Sequence, residues 1–219
     1  MSIRVSFPSR TMVKMMLRGH FFLLKPIIFL TFLLLFSLSV PMPSKGQQVY
    51  VFGPKGSGIN GSVAYTLIGR YKASFEDFNG AIDFDPSTKI IRSVSLKIKT
   101  ASLHSHFSAL DHIVMSKRLL DAGQFPVITF ESDRIDKKKN GYWVSGQLEV
   151  RGARQQISFP FVFEGPEQSP GGQHGIKASG QWEFNRKDFG LVWSRRLDKG
   201  GIIVGDQVTV DWQVVAYQP

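Results

Sequence analysis

The chain has 219 residues, 42% of them apolar and 20% charged, with a formal net charge of +10. That balance allows a substantial hydrophobic core and excludes general disorder. With no cysteine, it also excludes disulfide staples, thiolate nucleophiles and cysteine-bound zinc.

The positive charge is concentrated at the start. Residues 1–45 hold Arg4, Arg10, Lys14, Arg18, Lys25 and Lys45 and no acid. Without these six, the remaining 21 basic residues stand against 17 acids, a balance of +4. That surplus is ordinary for a globular domain and argues against nucleic acid as a partner. Pro26 to Val40 then runs for fifteen residues without a charge. A basic head, a short apolar stretch and small or polar residues after it describe a secretory signal peptide over residues 1–46. Cleavage is expected between Val40 and Gln47. The alternative for the same residues is an uncleaved N-terminal anchor, although a bilayer span needs about 20 apolar residues. Either way the remainder, 47–219, is expected to be periplasmic or secreted, and the lack of cysteine points to a bacterial envelope.

From Gln47 onward the residues alternate as strands do. Expected strands are Val63–Leu67, Gly80–Phe84, Ser93–Lys99, Val127–Ser132, Tyr142–Arg151, Ile157–Phe163, Lys177–Phe184 and Gln207–Tyr217. In Ser93–Lys99, Val94, Leu96 and Ile98 face one way while Ser95, Lys97 and Lys99 face the other. Asn140-Gly141 suits a tight hairpin before Tyr142. Ala109, His112, Ile113, Ser116 and Leu119/Leu120 recur at helical spacing, which predicts one short helix within Ser105–Gln124. Strands of this length and spacing describe a β-sandwich or β-barrel in one domain.

Alternation places Val94, Leu96, Ile98, Ile128, Phe130, Leu148, Val150, Phe159, Phe161, Phe163, Trp182, Phe184, Trp212 and Val214 on the inner face. A barrel of about eight strands can fill such an interior with side chains or hold one small ligand there. Gly56-Ser-Gly58-Ile-Asn-Gly61 spells G-x-G-x-x-G, but a strand follows it instead of the helix that dinucleotide binding requires, so it reads as a turn. His104, His106 and His112 form a weak metal-ligand set with Asp111 as the nearby carboxylate, and a metal-dependent hydrolase built on them is the least favoured reading. No nucleophile elbow, zincin or P-loop pattern occurs, so no catalytic residue, metal or cofactor is assigned. Basic pairs at Lys117/Arg118 and Arg195/Arg196 are either solvated loop charges or contacts for an anionic head group.

Several stretches resemble the YceI-like family of exported, lipid-binding barrels. They are Phe75-Glu-Asp-Phe-Asn-Gly-Ala-Ile-Asp-Phe-Asp85, Thr100-Ala-Ser-Leu103, and Asp121-Ala-Gly-Gln-Phe-Pro-Val-Ile-Thr-Phe-Glu-Ser132. Gly146-Gln-Leu-Glu-Val-Arg-Gly152, Arg186-Lys-Asp-Phe-Gly190 and Val204-Gly-Asp-Gln-Val208 follow in the family's order. The resemblance implies an all-β, extended antiparallel lipocalin-like barrel of about eight strands with a short helix inserted between strands. It also implies an isoprenoid-type or other long-chain amphiphilic lipid inside, carried or sequestered. The ligand-binding residues are then expected to be Leu96, Ile98, Phe130, Leu148, Phe159, Phe161, Phe163, Trp182, Phe184 and Trp212, with Arg118, Arg195 and Arg196 as head-group contacts. A membrane enters only as the source of ligand or through an uncleaved signal segment, and a dimer is compatible with the pattern. The chain departs from the family at Phe52-Gly-Pro-Lys-Gly-Ser57 and Asp111-His-Ile-Val114. The competing reading is an envelope stress or interaction module whose barrel is packed solid.

Overall fold

Hydrogen-bonded strands account for nearly the whole described chain. The computed structural model describes residues 48–66, 68–168, 172, 174–193 and 204–219; the proposed signal segment 1–46, Arg195 and Arg196 lie outside them. Among the described residues are eleven strands: β1 (Gln48–Phe52), β2 (Gly58–Tyr65), β3 (Gly69–Phe75), β4 (Phe78–Asp85), β5 (Ile90–Lys99), β6 (Leu103–Ser105), β7 (Val127–Lys138), β8 (Gly141–Val150), β9 (Ala153–Gln168), β10 (His174–Asn185) and β11 (Val204–Tyr217). A helix, α1 (Ser108–Met115), lies between β6 and β7.

Eight strands close into an antiparallel barrel in the order β1-β4-β5-β7-β8-β9-β10-β11. Val51 beside Tyr217 seals the ring. β2 lies along the same flank of β11 as β1, pairing from Gly58 with Gln213 to Tyr65 with Val204. It continues through β3 to the short β6. This ribbon and α1 fill out one end of the barrel.

Alternation chooses the faces, as a period of two requires. Ile98, Ile128, Phe130, Val144, Leu148, Phe161 and Val214 are buried inside. Where the parity slips, a bulge explains it. Between Ser132 and Arg134 the β7–β8 register shifts, so inward positions change from Ile128 and Phe130 to Ile135. The Ser132 hydroxyl accepts the Val94 N–H at 2.8 Å across the neighbouring strand.

Hairpins follow their turn chemistry. The β7–β8 loop is Lys139-Asn140, with Lys138 opposite Gly141. The β8–β9 loop is Arg151-Gly152, both at positive φ (52° and 74°), the geometry of a two-residue turn matched to strand twist. Arg151 sits in this unfavourable region while its guanidinium donates to the carbonyls of Gly190 and Lys117, both at 3.1 Å.

The structure differs from the sequence reading in three places. The turn ascribed to Gly56–Gly61 is confined to its start, where Gly56 has φ +77°. Gly58 to Gly61 are strand because the open edge of β11 pairs with them. β1, β3 and β6 are not among the expected strands; β3 carries one bulky buried residue, Tyr71, among Arg70, Lys72 and Ala73. The short helix falls within 105–124 as expected, but Ser116, Leu119 and Leu120, which share its spacing, lie outside it. Ser116 turns extended (ψ 172°) and ends it, and tight turns to Phe125 then keep Leu119 and Leu120 buried.

Gly146 points inward opposite the β7 bulge. A Cβ there would overlap the Glu131 carbonyl oxygen and lie 2.8 Å from Ser132 Cα and 2.9 Å from the Phe130 ring. Because two of these neighbours are backbone, Gly146→Ala should destabilise by about 1–3 kcal/mol. Urea unfolding with an unchanged midpoint would contradict that tight approach.

Candidate functional site

The barrel interior is not filled. A cavity of about 300 Å³ runs through it, lined almost wholly by apolar atoms. All ten residues expected from sequence to bind ligand, Leu96, Ile98, Phe130, Leu148, Phe159, Phe161, Phe163, Trp182, Phe184 and Trp212, face this space. Its volume is at the low end of the roughly 300–1,000 Å³ typical of small-molecule pockets.

The lining is asymmetric. On the β9–β10–β11 side it is aromatic: Phe159 stands 5.8 Å from Trp182 and 6.1 Å from Trp212, centroid to centroid, and Trp182 stacks on Phe184 at 4.6 Å and 16°. The opposite wall is mostly aliphatic, with Val94, Leu96 and Ile98 from β5 and Ile128 from β7. At the end holding the β4–β5 and β7–β8 turns, Phe84 packs against Tyr50 (6.1 Å) and Phe163 (4.9 Å), and Tyr142 against Phe163 (5.8 Å). Tyr50 and Phe84 are each 1% exposed, so this aromatic cluster stoppers the barrel. At the other end α1 supplies Leu110, Ile113 and Val114 to the lining, and the turns after it Leu119 and Leu120.

Two polar arrangements border this apolar space. Asp111 of α1 is buried and accepts from Tyr71 O–H (2.6 Å), Ser105 N–H (2.9 Å) and Ser105 O–H (2.5 Å). Burial alone would raise its pKa, but the hydrogen bonds from Ser105 and Tyr71, with the nearby His104 charge, outweigh it and hold the carboxyl below its ordinary value. The cluster ties α1 to β3 and β6, and Tyr71 presents its ring to the cavity. Arg186, 3% exposed, also borders the cavity. Its Nε donates to Gly205 O (2.8 Å), Nη1 to Trp193 O (3.0 Å) and Leu191 O, and Nη2 to Asp206 Oδ1 (3.0 Å). It therefore fastens the segment after β10 to the start of β11.

Neither arrangement was singled out from sequence as part of a site. Arg186 was marked in the sequence by its place in the stretch Arg186–Gly190 alone, and Asp111 by the stretch Asp111–Val114 and as the carboxylate beside the weak histidine set. Arg118 lies exposed in the turn after α1 and does not itself line the cavity, although the next residue, Leu119, does. His104, His106 and His112 are all exposed, and among the described residues no group of three or more His, Cys, Asp or Glu is placed to hold a metal.

A closed antiparallel barrel around an apolar cavity, with one short helix across an end, defines a lipocalin-like protein. The YceI-like domain pattern matches residues 50–216, and the chain belongs to that family. It is 31% identical over 121 residues to a UPF0312 protein of Yersinia enterocolitica, covering 54% of this chain and 62% of the relative's length. It is 29% identical over 145 residues to one of Shewanella denitrificans, covering 65% and 76%. Among solved structures, Burkholderia cenocepacia BcnA superposes with a TM-score of 0.63 at 22% identity, over 74% of this chain and 97% of that one. A polyisoprenoid-binding domain from Saccharophagus degradans, implicated in plant cell wall breakdown, gives 0.57 at 12% identity over 78% and 99%. At these identities the superpositions establish a shared fold.

Proposed function

We propose that this protein is an exported binding protein that holds an amphiphilic, isoprenoid-type or other long-chain lipid in the barrel, as carrier or sequestering agent. The observation that carries this reading is the open, apolar cavity bounded by strands that could have packed it shut. Each CH₂ moved from water into such a lining gains about 0.8 kcal/mol, so a long chain is the ligand that best uses it. The YceI-like family and its polyisoprenoid-binding neighbour support binding in preference to catalysis. Leu96, Ile98, Phe130, Leu148, Phe159, Phe161, Phe163, Trp182, Phe184 and Trp212 would solvate the chain. Arg118, Arg195 and Arg196 would meet an anionic head, and the basic, apolar leader would direct export to the periplasm or beyond.

The test is native mass spectrometry of protein expressed from the full chain, recovered from envelope and culture fractions, followed by lipid extraction. A stoichiometric long-chain adduct is expected on a protein that begins near residues 41–48. Protein without an adduct, and without uptake of added farnesol or palmitate, would favour the packed interaction module instead.

A further inference from the structure

We propose that the apolar chain enters and leaves the barrel sideways, through a seam between β9 and β10; the proposal rests on the lipid-binding reading above. β9 pairs with β8 from Ala153 to Phe161, and β10 pairs with β11 from Gly175 to Asn185. β9 and β10 pair with each other only where Val162–Gln168 meets His174–Ser179. Over Ala153–Phe161 and Gly180–Asn185, each strand is therefore bonded on its far side and not to the other. A closed barrel ordinarily leaves no such edge.

The break has a local cause. Pairing stops at Pro160, which has no N–H to offer, and at Gly180, where an added Cβ would sit 2.9 Å from Pro160 O. Beyond the break, among the described residues, side-chain bonds run instead to the segment that follows β10: Gln155 Nε2 donates to Asp188 O at 2.7 Å, and Arg151 Nη1 to Gly190 O at 3.1 Å. Ile157, Phe159, Trp182 and Phe184 face the cavity across the seam and are half-buried. Such rings move aside by rotation without breaking a hydrogen-bonded ladder. β5 and β7 also stop pairing beyond Ser95 and Glu131, and β1 meets β11 at the single pair Val51–Tyr217. The first gap, however, is bridged by the Val94 N–H donating to Ser132 Oγ at 2.8 Å, and the second by Gln218 Nε2 donating to Tyr50 Oη at 3.4 Å. The helical end is the competing route. Lifting α1 would strip Asp111 of Tyr71 and Ser105 and leave a buried carboxylate without its donors.

The chain has no cysteine, so two introduced thiols are chemically unique. Continuing the Val162–Ser179 register sets Ser158 opposite Glu183, both exposed on the outer face. In the full chain, S158C/E183C joined by a short bis-maleimide is compared with the same variant capped by N-ethylmaleimide. Uptake of the fluorophore N-phenyl-1-naphthylamine is followed by stopped flow. The bridged protein should fill at least tenfold more slowly than the capped one and reach the same final amplitude. Equal rates with normal amplitude would overturn the seam while leaving the binding cavity intact. If the capped protein and the unmodified chain bind no dye at all, the lipid-binding reading fails and the seam with it.

Discussion

Asp111→Ala is expected to lower the unfolding free energy by about 3 kcal/mol or more, measured as a fall in the urea midpoint at constant slope. The substitution removes little volume. Its effect comes from leaving the Tyr71 hydroxyl, the Ser105 N–H and the Ser105 hydroxyl without their acceptor in a buried place, at about 1–3 kcal/mol for each donor that water does not reach. The pH dependence has a definite sign. The folded Asp111 carboxyl is held below its ordinary value, so the folded state binds its proton less readily than the unfolded chain, whose value is near 3.9. Its contribution is thus complete above about pH 5 and lost as pH falls below about 4. The gap between wild type and Asp111→Ala should narrow over that window. Asp85 and Asp206 are lowered in the same direction and add to the acid sensitivity of both proteins alike. Tyr71 runs the other way: burial first, then Asp111, pushes its hydroxyl well up. Its contribution holds below about pH 10 and falls as pH rises beyond that. A gap between wild type and variant that stays constant from pH 7 to pH 3 would show that Asp111 is not an ionised anchor.

The residues that face the cavity were legible because strand alternation is a local rule. Val94, Leu96 and Ile98 announce their face within seven residues, and Phe159, Phe161 and Phe163 do the same. What alternation could not tell was whether facing rows meet or stand apart, because that depends on barrel closure, and closure rests on one contact of Val51 with Tyr217, 166 positions apart in the chain. β2 was misplaced for a related reason: Gly58 and Gly61 look like turn residues until the edge of β11 is there to pair with them. The Asp111 cluster was hidden because its partners, Tyr71 and Ser105, come from β3 and β6, two strands too short or too sparsely apolar to be read. The split between β9 and β10 had one sequence mark, Pro160, and no local pattern shows which neighbour a missing N–H will cost.

Phe161→Trp and Phe130→Trp should leave the unfolding free energy within about 1 kcal/mol of wild type while reducing lipid retention tenfold or more. Both side chains are nearly buried, at 6% and 5% exposure, so a solid core would resist the larger indole and lose about 1–3 kcal/mol through overpacking. Each ring borders the cavity instead, so the added atoms can occupy space that a ligand would otherwise fill. Phe84 supplies the contrast. It is 1% exposed, wedged between Tyr50 and Phe163, and does not border the cavity. Phe84→Trp should therefore show the overpacking loss that the other two escape. Native mass spectrometry with added farnesol reads retention, and urea unfolding reads stability. If all three variants lose stability alike and retention does not separate them, the interior behaves as a packed core and the lipid-binding reading falls. If stability separates Phe84 from Phe130 and Phe161 while retention falls only for the latter pair, the empty volume is where the ligand sits.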